Sequence, residues 1–365
     1  SRRLQNFSED LVSSVRGELG DTGKERYERL RSARDFFDSI VSSNGPQDSH
    51  SQVDRPFLVL PTFDAEVVGI EKDSVVQMKS ANAPIKFGIK VQGFKDPDQV
   101  GIRQVLMKRQ SDILKQQVVA DIVSHMVDLL FADADLMQHL QALNVDIPSF
   151  HLGQHRILTL SSGVALFEIV EQAKTLGEMG DVLVYLVNAD QKKTTFAPAF
   201  GASCACWYAM SFLLGLGDRH ADNVMISQSG VLFHIDYDHI LGSDASHRTG
   251  VSRLDFEAIQ RVVGHDSIEN TFFKTVGLAF NALRHEAHFL AEQLALATEL
   301  GAKSVQRSSD TDGRSAASCR GEWHRNARAF VEDHCWPAVP DDEARRRIDP
   351  IVRQSAGLPA QAIRS

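Results

Sequence analysis

Apolar residues recur at two different spacings along this chain, and the change of spacing divides it. Over residues 1 to about 50, Leu4, Phe7, Leu11, Val12 and Val15, then Leu30, Phe36, Phe37, Ile40 and Val41, fall near the helical period. That spacing predicts two amphipathic helices, followed by a linker from Asn44-Gly45-Pro46 to Asp54. From Pro56 the texture becomes short β-branched runs bounded by turn residues: 57–60, 67–70, 75–78, 85–91 and 103–108. These predict an antiparallel sheet. Residues 111–131 predict a helix, with Ile113, Leu114, Val118, Ile122, Met126 and Leu129 on one face. Two further strands fit 156–160 and 164–170. After Glu171 the pattern turns helical, with candidates at 182–187, 196–214, 254–263, 267–283 and 286–300. The Ser/Arg/Asp/Gly-rich stretch 303–318 reads as a flexible linker. Trp323, Phe330, Val331 and Trp336 fit a docking helix, and Arg345-Arg346-Arg347 fits a solvated face.

Composition narrows the class. The 365 residues are 43% hydrophobic and carry a formal net charge of -9. That balance argues against a general nucleic-acid binder. Four cysteines without a C-x-x-C pair argue for reduced thiols and an intracellular location. No apolar run is expected to reach the length of a membrane span, so any membrane contact would be peripheral.

One stretch concentrates the chemistry. Gly217-Asp218-Arg219-His220-Ala221-Asp222-Asn223 is followed by two short apolar runs, Val224–Ile226 and Val231–Phe233, joined by Ser-Gln-Ser-Gly. His234-Ile235-Asp236-Tyr237-Asp238 closes it. The runs predict a hairpin turning at Ser229-Gly230. A hairpin folds its ends together, so Asp218 and Asn223 should face Asp236 across a small gap. Oxygens converging this way suit a hard cation such as Mg²⁺. Asp222 reads as solvent-facing, and His234 and His239 as core histidines satisfied by backbone.

Sheet, helix, sheet, then a helical lobe bearing the polar loop is the order expected of a two-lobed nucleotide-using kinase. Phosphoryl transfer asks for a cation and a positive group on the phosphates, and for a residue to orient and deprotonate the acceptor hydroxyl. Lys108 ends a strand, Asn223 and Asp236 flank the hairpin, and Asp218 and His220 lie where an acceptor proton could be taken.

The segment from Gly217 to Gly242 resembles the catalytic loop and metal-binding segment of the phosphoinositide 3-kinase and 4-kinase superfamily, and the phosphoinositide 3-kinase branch in particular. The family pattern is Asp-Arg-His-x-x-Asn, then His-Ile-Asp-Phe-Gly. Residues 77–86 resemble its phosphate loop, 105–108 its lysine strand and 167–170 its hinge. The resemblance covers roughly residues 57 to 300. It implies an α+β, two-lobed kinase-like fold: an antiparallel-sheet N-lobe with one main helix (56–170) and a mostly helical C-lobe (171–302). A helical lead-in (1–55) and a C-terminal tail (303–365) complete the organisation.

The resemblance also implies ATP and Mg²⁺ as cofactors. Lys108 and Ser80 would touch the ATP phosphates, and Glu168 and Val170 would hold adenine through backbone groups. Asn223 and Asp236 would bind Mg²⁺, and Asp218 and His220 would activate the acceptor. Segment 242–256 offers only His247, Arg248 and Arg253 as basic groups, which suggests a weakly charged headgroup such as phosphatidylinositol itself. The implied setting is a cytoplasmic protein, peripheral on intracellular membranes, with a regulatory subunit as a candidate partner. Three departures stand out: Gln116 where the family has an acid, Tyr237 for Phe, and Asp238 for Gly. An aspartate at 238 should restrict the backbone where glycine is free. These departures keep a catalytically impaired scaffold open, and a protein kinase of the same superfamily is a second alternative. A metallohydrolase using His220, Asp222, His234, Asp236, Asp238 and His239 is a remote third.

Overall fold

The computed structural model describes residues 58–60, 65–77, 84–93, 100–109, 112–153, 156–161, 164–190, 195–242, 256–306 and 316–356. The expected lead-in helices, the phosphate loop with Ser80, the basic residues of 243–255 and the middle of the expected linker lie outside the described residues. The chain divides into two compact units, 1–117 with 155–171, and 118–154 with 172–365. Segment 118–154 thus groups with the second unit, not with the strands on either side of it.

The first unit is a six-stranded sheet in the order β1-β2-β3-β4-β6-β5. Its strands are β1 (Leu58–Leu60), β2 (Ala65–Gln77), β3 (Ile85–Gly93), β4 (Val100–Arg109), β5 (Ile157–Ser161) and β6 (Val164–Glu168). Every pairing is antiparallel. Alternation along β3 buries Ile85, Phe87, Ile89 and Val91 on one face, the period-two signature read from the sequence. The two runs expected at 67–70 and 75–78 are instead one strand. Its register shifts between Glu71 and Val76. There the Ser74 hydroxyl accepts the Gly88 N–H at 2.6 Å and donates to the Glu71 carbonyl at 2.5 Å. A side chain thus replaces a missing ladder bond, and a bulge takes the place of a turn.

Helix α1 (Ile113–Ala132) carries the chain from one unit into the other. The second unit continues with α2 (Ala134–Ala142), absent from the sequence reading, whose N-cap Asp133 accepts the Leu136 N–H at 2.8 Å. A three-stranded antiparallel sheet follows, formed by β7 (Ala173–Thr175), β8 (Val224–Ser227) and β9 (Leu232–His234). The helices between and after these strands are α3 (Val182–Asp190), α4 (Phe196–Leu214), α5 (Phe256–Val263), α6 (Lys274–Arg284) and α7 (Ala287–Gln306). A π-turn, Glu269–Phe273, leads into α6.

Helix α4 is the core element, packed by α5, α6 and β9. It is apolar on every side, as a helix buried all round must be. Contrary to the sequence expectation, its 19 residues at mean hydropathy 1.3 match a membrane span in length and composition, yet 83% of that window is buried inside the protein. Cys204 and Cys206 on it, and Cys335, are free thiols and buried.

Both ends of the expected linker are helical, and the docking helix expected around Trp323, Phe330 and Val331 is present. Residues 303–306 finish α7 and 316–318 open α8 (Ala316–Cys335), which packs along α7; α9 (Asp341–Ser355) packs on α6. Two buried arginines fasten this tail. Arg284 donates to the carbonyls of Trp336 (2.9 Å) and Val339 (2.7 Å) and to the Asp341 carboxylate. Arg353 makes a two-pronged bond to Glu269 at 2.9 and 2.7 Å and lies 4.0 Å from the Phe273 ring centroid. Arg345, Arg346 and Arg347 lie on the solvated face, paired with Asp342 and Glu343.

The hydrogen bond from Arg284 holds the Asp341 carboxyl below its ordinary range, helped by His285. A lowered folded-state pKa stabilises above the unfolded value, and that contribution is lost as pH falls through the folded value. Asp341→Asn should therefore lower the melting temperature at pH 7 and flatten its decline below pH 4, read by thermal melts across pH.

Candidate active site

The site begins where α4 stops. Gly215 caps the helix in the left-handed conformation (φ 56°, ψ 42°). A methyl group there would come within 2.7 Å of the Gly242 nitrogen. The position needs glycine both for its φ and because a second chain segment crosses it. That segment is 239–242. Leu241 N–H donates to Leu214 C=O, Gly242 N–H to Gly215 C=O, and Gly217 N–H to His239 C=O, each at 2.9 Å. The chain leaving the helix is thus laced to the chain that follows the hairpin.

The hairpin itself forms as its apolar runs suggested. Val224 pairs with His234 and Ile226 with Leu232. The turn closes with Gly230 (φ 89°) donating to Ser227 C=O at 3.0 Å and Val231 donating to the Ser227 hydroxyl at 3.1 Å. Ser203 on α4 accepts the Leu232 N–H at 2.9 Å and pins the hairpin to the core helix.

Arg219 joins the two ends of the hairpin. It is 5% exposed. Its Nε donates to Gly217 C=O at 2.6 Å, its Nη1 to Ile235 C=O at 2.8 Å, and its Nη2 to Asp236 C=O. Burial lowers its pKa from the ordinary value, while Tyr237, Asp236, Asp218 and Asp238 act in the opposite direction. A guanidinium stays charged under such a balance. The planar fork fixes three carbonyls at once, and with them the backbones that carry Asp218 and Asp236. Both of these aspartates are left-handed, at φ 50° and 63°, a conformation Asp tolerates better than most residues but one that costs energy.

The site residues expected on this loop come together. Asn223 is buried; its Nδ2 donates to Asp218 C=O at 2.9 Å, which leaves Oδ1 as the atom available to a cation. Ile235 N–H donates to Asn223 C=O at 3.0 Å, so Asn223 and Asp236 leave the paired strands at the same end. His220 Nε2 lies 3.9 Å from Asp218 Oδ2, both side chains being about half exposed. His220 Nδ1 accepts the Asp222 N–H at 3.2 Å, so the neutral ring carries its proton on Nε2. Asp222 is exposed, as expected.

His234 is buried with its ring 4.8 Å from Trp207. Burial, reinforced by the Arg219 charge, holds its pKa well below the usual range, so the ring is neutral. Its Nδ1 has no hydrogen-bond partner, which corrects the expectation that backbone satisfies it. His239 is half-exposed, not a core residue. Among the described residues no three His, Cys, Asp or Glu side chains gather in a way that could hold a metal, which leaves the hydrolase arrangement without its ligand cluster. A site of Asn223 and Asp236 still fits Mg²⁺, which keeps several waters and takes substrate phosphates beside one or two protein oxygens.

In the first unit, Lys108 pairs across the sheet with Ala165, and its Nζ lies 4.6 Å from the Phe167 ring centroid. Ile169 N–H turns to Gln104 C=O (3.0 Å) while Glu168 N–H turns the other way, to Arg156 C=O (2.9 Å). Val170 follows Ile169, beyond the end of β6. Burial raises the Glu168 carboxyl, against the pull of Arg156 and Arg103. Gln116 is fully buried on α1.

A profile of the family described as "Phosphatidylinositol 3- and 4-kinase" matches residues 105–305, more than half of the chain. The chain belongs to this kinase family. Among its curated relatives, phosphatidylinositol 3-kinase 3 of Dictyostelium discoideum is 24% identical over 67% of this chain and 15% of its own length. Phosphatidylinositol 3-kinase pik3 of Schizosaccharomyces pombe is 26% identical over 66% and 30%. Phosphatidylinositol 3-kinase VPS34 of Arabidopsis thaliana is 26% identical over 77% and 32%. The chain thus spans about a third or less of the length of these relatives. The two-lobed kinase-like α+β fold expected from the resemblance agrees with this membership.

Two departures from the family pattern gain a physical reading. Tyr237 is buried, and its hydroxyl donates to His234 C=O at 3.0 Å, so the extra oxygen over phenylalanine is satisfied. Asp238 is not among the left-handed residues, which here are Asp236, Leu241 and Gly242. The expected backbone restriction at 238 therefore costs nothing.

Arg219→Met should lower stability by at least ~3 kcal/mol, because three carbonyls lose a charged donor. Arg219→Lys should recover only part, since an ammonium cannot match the fork. Urea unfolding of the three proteins checks both.

Proposed function

We propose that the chain is the catalytic portion of a phosphatidylinositol kinase. It would transfer the γ-phosphoryl group of ATP, with Mg²⁺, to an inositol hydroxyl of a phosphatidylinositol lipid at the cytoplasmic face of an intracellular membrane. The observation that carries this reading is the Arg219 fork, which ties the segment bearing Asp218 and Asn223 to the segment bearing Asp236. Family membership and the phosphatidylinositol 3-kinase relatives support the lipid as acceptor.

The roles follow from chemistry. Asn223 Oδ1 and the Asp236 carboxylate would hold Mg²⁺, which supplies charge neutralisation on the phosphates. Lys108 would add a fixed positive charge, and the backbone edge at Glu168 and Val170 would take adenine. The acceptor oxygen bonds to the γ-phosphorus as the bridge to the β-phosphate breaks, and ADP leaves. The hydroxyl proton goes to the Asp218 carboxylate. His220 presents Nε2–H, so its neutral form is the hydrogen-bond donor of the pair, orienting Asp218 or the incoming oxygen.

Turnover of ATP on phosphatidylinositol vesicles tests the reading. Asp218→Asn should cut kcat by about 10²-fold or more and leave ATP binding intact. Asp236→Asn should abolish the Mg²⁺-dependent thermal stabilisation by ATP. Wild-type protein that is stabilised by ATP and Mg²⁺ yet turns over neither lipid nor peptide would make the chain a scaffold. That outcome is the second reading, which the buried, uncharged Gln116 favours because an amide cannot ion-pair with a lysine.

A further inference from the structure

The tail helix α8 reaches the crossing point of the candidate site. A methyl group at Gly215 would lie 2.5 Å from Phe330 Cζ, nearer than to any backbone atom of the crossing segment. The Phe330 ring edge therefore rests on the Gly215 backbone, where 214–217 and 239–242 are laced together. Phe330 is itself braced. His334, one turn along, stacks on it with centroids 3.9 Å apart and planes 17° apart, and its Nδ1 is 2.7 Å from Phe330 C=O. The His334 ring in turn lies 4.9 Å from Phe212 on α4. One end of α8 is thus wedged between the last turn of α4 and the backbone that sets Asp218 and Asp236.

We propose that Phe330 is a positioning residue for the candidate active site, which makes α8 a working part of the catalytic unit. The ring acts through contact alone. It fills the side of Gly215 that has no Cβ, and so keeps the left-handed cap from swinging away from Gly242. If the cap swings, the Leu241 and Gly242 amides lose their acceptors, and the fork of Arg219 no longer meets Gly217 and Asp236 together. An aromatic edge suits this place because it is flat, rigid and needs no hydrogen bond.

The test uses the full chain with Phe330→Ala, Phe330→Leu and Val331→Ala. Val331 is buried one position along the same helix, so its truncation loosens α8 without opening Gly215. Hydrogen exchange in peptides covering 214–217 and 239–242 should rise by about 10-fold in Phe330→Ala, recover in Phe330→Leu and stay at wild-type level in Val331→Ala. Turnover, which rests on the kinase reading, should show kcat falling by about 10-fold in Phe330→Ala with KM for ATP unchanged. If the two alanine variants expose these amides alike, or neither does, the proposal falls. A wild-type protein without turnover would sink the kinase reading and leave the exchange result to decide the role of Phe330.

Discussion

A single buried cation holds the candidate site together. Arg219 spends its charge on the carbonyls of Gly217, Ile235 and Asp236. Three acceptors in fixed directions leave little freedom to the two backbones that bear them. The arrangement resembles pre-organisation in the strict sense: the energetic cost of holding Asp218 and Asp236 on strained backbone is met when the chain folds and not when substrate arrives. His234, next to this charge and out of water, is obliged to be neutral, which keeps a second positive charge from weakening the fork.

Everything else in the second unit serves to deliver that arginine. Helix α4 supplies a rigid axis, Pro198 sits in its first turn where a missing N–H is harmless, and Gly215 ends it sharply. Ser203 sets the height of the hairpin against the axis. The tail, fastened by Arg284 and Arg353, closes the far side. Three buried guanidiniums therefore do related work, each gathering carbonyls or carboxylates from segments distant in sequence. Arginine suits this because its fork reaches several acceptors and its charge survives burial.

Much of this was readable in the residues. Period-two runs located the sheet of the first unit, and the hairpin followed from two apolar runs and a glycine turn. The candidate ligands Asn223 and Asp236, and the pair Asp218 and His220, came from the spacing of polar groups in an otherwise apolar region. Arg219 stood in plain view between two candidate residues, yet nothing in a pattern of letters says where a guanidinium points. Its signals were a lone cation among acids and its place in the Asp-Arg-His-x-x-Asn pattern, neither of which gives its direction. The β2 bulge escaped because Ser74 substitutes for a backbone partner, which composition reads as a turn. The docking helix α8 followed from Phe330 and Val331, whereas the helical ends of the expected linker and α9 escaped because these polar, charged stretches bury only a narrow stripe. The backbone at Asp238 was misjudged for a similar reason: glycine at a position does not by itself show that a positive φ is required there.

The all-round apolar character of α4 also bears on the life of the chain before it is folded. Nineteen such residues, released from their packing, have the length and texture that the membrane-insertion machinery and chaperones bind. A chain still lacking α5 to α9 would show this helix to solvent, and aggregation would compete with completion. Yield during synthesis is then governed by how soon the C-terminal helices emerge and cover it. Truncations near the end of the chain would reveal themselves first as insoluble protein, before any effect on chemistry could be measured.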